Sequence, residues 1–148
     1  KSSATDIIGQ TEGTIFIDFE RTKIPGDIKA LLTMFSVTDD ETFFLQTSNN
    51  ISTSINLQIV SVSNGVNVIR TMDLLYGRNK IAVVYSITGT KIFLNGNELT
   101  PLTNTALPVM DIIDLSNRTG QRIYGDIYQF ALWKTQITDE QAINLTTL

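Results

Sequence analysis

The amino-acid sequence predicts an all-β domain of two packed antiparallel sheets, closed by one short C-terminal helix. Three observations lead there. Apolar and polar residues alternate with a period of two along most of the chain. Tight-turn dipeptides punctuate that alternation: Asn64-Gly65, Thr88-Gly89 and Asn95-Gly96. Near the end, Thr138-Asp139-Glu140-Gln141 has the spacing of a helix capping box.

The elements follow in order. In Thr14-Ile15-Phe16-Ile17-Asp18-Phe19-Glu20, one strand face carries Ile15, Ile17 and Phe19. The other carries Thr14, Phe16, Asp18 and Glu20. Further strands are expected at 30–37, 42–47, 55–62 and 66–71. Asn64-Gly65 joins the last two, because both residues tolerate positive φ. Lys80-Ile81-Ala82-Val83-Val84-Tyr85 and Thr90-Lys91-Ile92-Phe93-Leu94 flank a turn at Thr88-Gly89, and Asn95-Gly96 offers a second one. The stretch 101–108 reads as a loop from its prolines and its Thr and Asn content. Strands return at 109–115 and 123–133. Between them, 116–122 is polar and holds Gly120, so an exposed loop is expected. Thr138 is the N-cap of the helix and Gln141 its N3 residue, while Asp139 and Glu140 suit the helix dipole. Ala142, Ile143 and Leu145 are expected to face the sandwich. About a dozen short strands and one small helix favour two antiparallel sheets.

Composition sets the limits. The 148 residues fit one domain, and no repeat or linker divides 1–148. Hydrophobic residues make up 42%, enough for a core without a disulfide or metal staple. A net charge of -4 without a basic run argues against a nucleic-acid partner. Cysteine is absent, which excludes disulfides and leaves the redox compartment open. Histidine is absent too, so the commonest general base and a common metal ligand are missing. Only oxygen-ligated ions such as calcium fit, and no motif calls for one. Asp39-Asp40-Glu41 is read as a charged turn, because neighbouring side chains diverge; Asp111 and Asp114 have the same status. No cofactor is expected. The longest apolar run falls far short of a membrane span, so no membrane insertion is expected. The start, Lys1-Ser2-Ser3-Ala4-Thr5, reads as a cut from a longer polypeptide.

Two segments carry a resemblance. Gly125-Asp126-Ile127-Tyr128-Gln129-Phe130-Ala131-Leu132-Trp133-Lys134-Thr135, followed by Ile137-Thr138-Asp139-Glu140-Gln141, resembles the closing signature of concanavalin A-like, laminin-G-like jelly rolls. Lys80–Tyr85 and Lys91-Ile92-Phe93-Leu94-Asn95-Gly96 look like the central hairpin of that family. The opening Ile8-Gly9-Gln10-Thr11-Glu12-Gly13-Thr14-Ile15 and the ending Ile143-Asn144-Leu145-Thr146-Thr147-Leu148 resemble a subgroup at the ends of bacteriophage tail fibres and related tail proteins. The resemblance implies a jelly-roll sandwich that binds a surface glycan or bacterial cell-surface receptor. It also implies an extracellular place on the virion tail and a homotrimer in the intact particle.

The candidate sites are few. Asp18 and Glu20 lie roughly 6.5–7 Å apart along one strand face, a separation a glycosidase pair uses. Jelly-roll glucanases carry a Glu-x-Asp-x-x-Glu run, however, and here position 16 is Phe and position 21 is Arg. The pair is therefore read as a solvated face and no enzyme activity is expected. Tyr124, Asp126 and Tyr128 alternate onto one face, opposite Ile123 and Ile127. Sugar rings stack on aromatic faces, and their hydroxyls need polar groups nearby. The tyrosines are either such a platform or packed side chains. Beside them, Asn117, Arg118, Gln121 and Arg122 form a hydrogen-bond-rich loop, able to meet an acidic sugar or simply to connect strands. Trp133 is expected to pack under the helix. Three function classes follow: a carbohydrate- or receptor-binding module, a structural or oligomerisation domain of the same particle, and, least favoured, a jelly-roll glycoside hydrolase.

Overall fold

The computed structural model describes residues 2–22, 30–36, 41–47, 54–61, 66–73, 76–103, 107–115 and 125–148. The alternation becomes twelve strands: β1 (Ser2–Ser3), β2 (Glu12–Arg21), β3 (Ala30–Phe35), β4 (Glu41–Thr47), β5 (Ser54–Ser61), β6 (Val66–Asp73), β7 (Gly77–Ser86), β8 (Gly89–Leu94), β9 (Asn97–Glu98), β10 (Leu102–Thr103), β11 (Ile112–Asp114) and β12 (Ile127–Trp133). Helix α1 (Asp139–Thr146) closes the described chain. One sheet has the order β1-β11-β3-β4-β5-β6, the other β10-β8-β7-β2-β12, with β9 paired to β8. All the pairings are antiparallel. This is the two-sheet sandwich that the alternation predicts.

The core lies between the sheets. Ile15, Ile17 and Phe19 of β2 meet Leu32 and Met34 of β3, Phe43 and Leu45 of β4, and Ile81 and Val83 of β7. Tyr85 is buried among them, and its hydroxyl donates to the Gly9 carbonyl at 2.9 Å. That burial pushes its phenol above its ordinary pKa.

The outer face of the second sheet departs from a solvated pattern. Phe16, Ala82, Val84 and Phe93 form a second buried cluster beneath α1. β2 and β7 are therefore covered on both faces along their middles. Helical periodicity decides which residues of α1 reach that cluster. Ala142, Leu145 and Thr146 share the inward face, while Ile143, expected there, is 37% exposed. The 3.6-residue period carries Ile143 away from the face that Ala142 and Leu145 share. Trp133 is also not under the helix; it sits on edge strand β12 opposite Thr14, 37% exposed. The smaller residues Ala82, Val84 and Ala142 let the helix approach closely enough that Phe16 and Phe93 fill the space.

The capping box forms as expected. Thr138 Oγ accepts from the Gln141 amide at 3.2 Å, and Gln141 Oε1 accepts from the Thr138 amide at 2.9 Å. Asn95 and Gly96 take positive φ, 51° and 80°, as a tight β-turn requires. The preceding turn is shifted by one residue. Ser86 Oγ accepts from the amides of Thr88 and Gly89 at 3.2 Å, so Gly89 already begins β8. The strand expected at 109–115 is only Ile112–Asp114, and the following one starts at Ile127 within the described residues. Glu41 belongs to β4 rather than to a turn. Asn64-Gly65, Asp39, Asp40 and the loop 116–122 lie outside the described residues.

Candidate functional site

Helix α1 covers the middle of the outer sheet face and leaves one end open. There β2, β7 and β12 present Asp18 and Glu20, Arg78 and Lys80, and Tyr128. The register sets Glu20 opposite Arg78 and Asp18 opposite Lys80. On β12, Ile127 pairs with Phe19 but Gln129 pairs with Asp18, so Tyr128 is the additional residue of a β-bulge. Ile127 packs on the core, and Tyr128 stands out at 55% exposure. Bulges commonly re-aim a side chain in this manner.

Gly125 sets the entry to this strand. Its φ is +142°, and a Cβ there would lie 1.6 Å from the Glu20 carbonyl oxygen. That close approach is available to glycine alone. It also lets the Glu20 amide donate to the Asp126 carbonyl at 2.8 Å.

The side chains at this end hold one another. The Tyr128 hydroxyl donates to Glu20 Oε2. The Arg78 guanidinium lies 5.2 Å from the centre of the Tyr128 ring. Arg78 also grips Asp18 with both arms, Nε to Oδ1 at 2.9 Å and Nη2 to Oδ2 at 2.6 Å. Hydrogen bonding from Arg78 is the main reason the Asp18 carboxyl is held below its ordinary pKa; burial opposes it. Tyr128 is raised, chiefly by its hydrogen bond to Glu20, with the charges of Glu20 and Asp126 adding to the effect. Asp18 is thus no solvated carboxylate: it is 3% exposed and fully engaged. Its charge is compensated where a lone carboxylate would need water.

A second tyrosine sits at the same end. Tyr76 is 68% exposed and immediately precedes Gly77, which pairs with Arg21. Its hydroxyl donates to the Thr22 carbonyl, and the buried Arg21 guanidinium lies 6.0 Å from its ring centre.

Of the platform and loop residues singled out from sequence, Asp126 and Tyr128 are described and both are exposed. Tyr124, Asn117, Arg118, Gln121 and Arg122 lie outside the described residues. Arg78 and Tyr76 escape sequence reasoning, because only the pairing of β2 with β7 brings them to Glu20 and Arg21. Among the described residues, no three carboxylates come together to hold a metal ion.

No family profile and no curated protein sequence matches the chain. Solved structures do. The CBM40 module of the Ruminococcus gnavus IT-sialidase bound to α2,3-sialyllactose is similar at a TM-score of 0.72 and 19% identity, over 95% of this chain and 84% of that one. The chain shares its fold. The NanB sialidase of Streptococcus pneumoniae is similar at a TM-score of 0.75 and 18% identity, over 98% of this chain but only 26% of that one. The binding domain of botulinum neurotoxin DC, in complex with rat synaptotagmin II, is similar at 0.70 and 9%, over 92% and 35%. The jelly-roll sandwich expected from sequence is therefore the observed fold.

Proposed function

We propose that this domain is a non-catalytic carbohydrate-binding module whose ligand is a sialylated glycan. The observation that carries the reading is Tyr128: an exposed ring, lifted by a bulge and fixed by Glu20 and Arg78 on an open sheet end. A ring already held in place offers a stacking surface at little ordering cost. Glu20 and Asp126 offer acceptors for sugar hydroxyls, and Arg118 and Arg122 are the groups proposed to meet the sialic acid carboxylate. The likeness to modules solved with sialyllactose supports this ligand class.

Catalysis is disfavoured by the electrostatics of Asp18. A glycosidase acid has its pKa raised, so that it carries a proton near neutrality. Asp18 is shifted the opposite way and is occupied by Arg78. The resemblance of residues 8–15 and 143–148 to phage tail-fibre tips is the ground for proposing carriage on a tail fibre or related tail protein, outside the cell and in three copies. In that setting a purely structural or oligomerisation role is the competing reading.

A glycan array separates the two. The isolated domain, displayed multivalently, should retain sialylated glycans over their asialo counterparts, and Tyr128→Ala should lose them. Uniform failure across the array would favour the structural role. Release of reducing ends from bacterial surface polysaccharides, abolished by Asp18→Asn or Glu20→Gln, would defeat the non-catalytic reading.

A further inference from the structure

The same sheet face carries a concavity at the end away from Tyr128. The β7–β8 turn, the segment around β10 and the approach to α1 enclose a cleft of about 400 Å³. Ligand clefts typically measure about 300–1,000 Å³. Val84, the nearest β7 residue on its wall, is four residues from Lys80, the β7 position level with Tyr128, which is about 13 Å at about 3.3 Å per residue. The cleft is therefore separate from the Tyr128 platform.

Its chemistry is mixed in a particular manner. Pro101, Leu102 and Ile137 give an apolar surface above the buried Val84. Around them stand the Thr88 hydroxyl, the Gln136 amide and the Lys91–Asp139 pair. Lys91 Nζ donates to Asp139 Oδ1 at 2.9 Å and Oδ2 at 2.7 Å, so the two charges cancel locally. Gln136 Nε2 is committed to the Tyr85 carbonyl at 3.2 Å, which orients its Oε1 as an acceptor. The third Lys91 donor and the other carboxylate lone pairs are additional hydrogen-bonding capacity.

We infer that this cleft is a second sugar subsite, for a neutral pyranose. A pyranose has an apolar C–H face and a rim of hydroxyls that both donate and accept. The cleft matches it with an apolar patch bordered by donors and acceptors. An anionic sugar gains nothing here, because Asp139 neutralises Lys91. An apolar ligand would strip water from Lys91, Asp139 and Gln136 without replacing their hydrogen bonds. This inference is independent of the sialylated-glycan reading.

Amide chemical-shift mapping tests it on the wild-type domain, with lactose and methyl glucoside as neutral probes and sialyllactose in parallel. Saturable shifts are expected at Thr88, Gly89, Thr90, Leu102 and Gln136 with the neutral sugars, and none at Tyr128. Gln136→Ala and Lys91→Met should each weaken those neutral-sugar shifts at least about fivefold, with the melting temperature little changed. No shifts in the cleft, shifts confined to the Tyr128 end, or variants that bind as wild type would overturn the inference. Sialyllactose that leaves Tyr128 undisturbed, while lactose still perturbs the cleft, would sink the proposed function and leave this subsite standing.

Discussion

At the scale of single residues, Tyr128 matters because of what holds it. A solvated tyrosine on a sheet costs little and proves nothing. This one donates to Glu20 and lies beside a guanidinium that Asp18 fixes in turn. Tyr128→Ala should abolish glycan retention while the melting temperature stays within a few degrees, since the ring is mostly in solvent; an unfolded variant would show it to be structural. Tyr128→Phe keeps the ring but frees Glu20, so it should weaken binding less than the alanine variant. Asp18 makes a separate prediction. Its folded pKa is depressed below the ordinary 3.8. The ion pair therefore adds stability above about pH 4, and that stability is lost as pH falls through the folded pKa. Asp18→Asn should cost about 1–2 kcal/mol at neutral pH, discounted because Arg78 is half in solvent. The gap in melting temperature between wild type and variant should close in acid. A gap that persists unchanged at about pH 2 would assign the loss to packing instead of charge.

At the scale of elements, two glycines make contrasting predictions for the site's framework. Gly125→Ala puts a methyl group onto the Glu20 carbonyl, with φ already at +142°. β12 must then separate locally from β2, so both stability and binding should fall. Gly77 has φ +92° but open space where a methyl group would stand, so Gly77→Ala should cost only about 1 kcal/mol of backbone strain and keep binding. Equal losses in the two variants, measured by denaturant unfolding and array retention, would rule out the close-approach argument. Thr138→Ala should remove about 1 kcal/mol by taking away the hydroxyl that accepts from the Gln141 amide, while the Thr138 backbone amide keeps its bond to Gln141 Oε1. These elements also show what the sequence makes legible. Periodicity two locates the long strands, Asn95-Gly96 locates one turn, and the Thr-x-x-Gln spacing locates the helix start to the residue, whereas Thr88-Gly89 is one residue out and the short strand β10 lies where 101–108 reads as a loop. The bulge at Tyr128 and the cross-strand grip of Arg78 on Asp18 depend on which strands are neighbours. No local pattern encodes that pairing, which is why Asp18 reads as solvated in sequence and is buried in the fold. Trp133 and Ile143 mislead for a related reason: apolarity alone does not say which way an edge strand or a helix turns.

At the scale of the whole molecule, α1 divides one sheet face into two ends. The proposed stacking platform lies at one end, level with Lys80 of β7, and the mixed cleft at the other begins at Val84, about 13 Å along the strand. Each contact is shallow and should be weak when monovalent. The proposed carriage in three copies would change that, because the second and third contacts would become intramolecular. Linked sites can gain about 10² to 10⁴ over a single one when geometry permits. The isolated domain should therefore wash off a sialylated surface quickly, and a fusion to a trimeric stalk should remain, with nearly all of the gain in the off-rate. Surface plasmon resonance over a range of glycan densities distinguishes avidity from affinity. The gain should vanish at sparse density, where one fibre cannot reach two glycans. It should also vanish at any density when all three copies carry Tyr128→Ala. If the trimer gains nothing on a dense surface, the three platforms do not face the same plane, and a role in building the particle becomes the better reading.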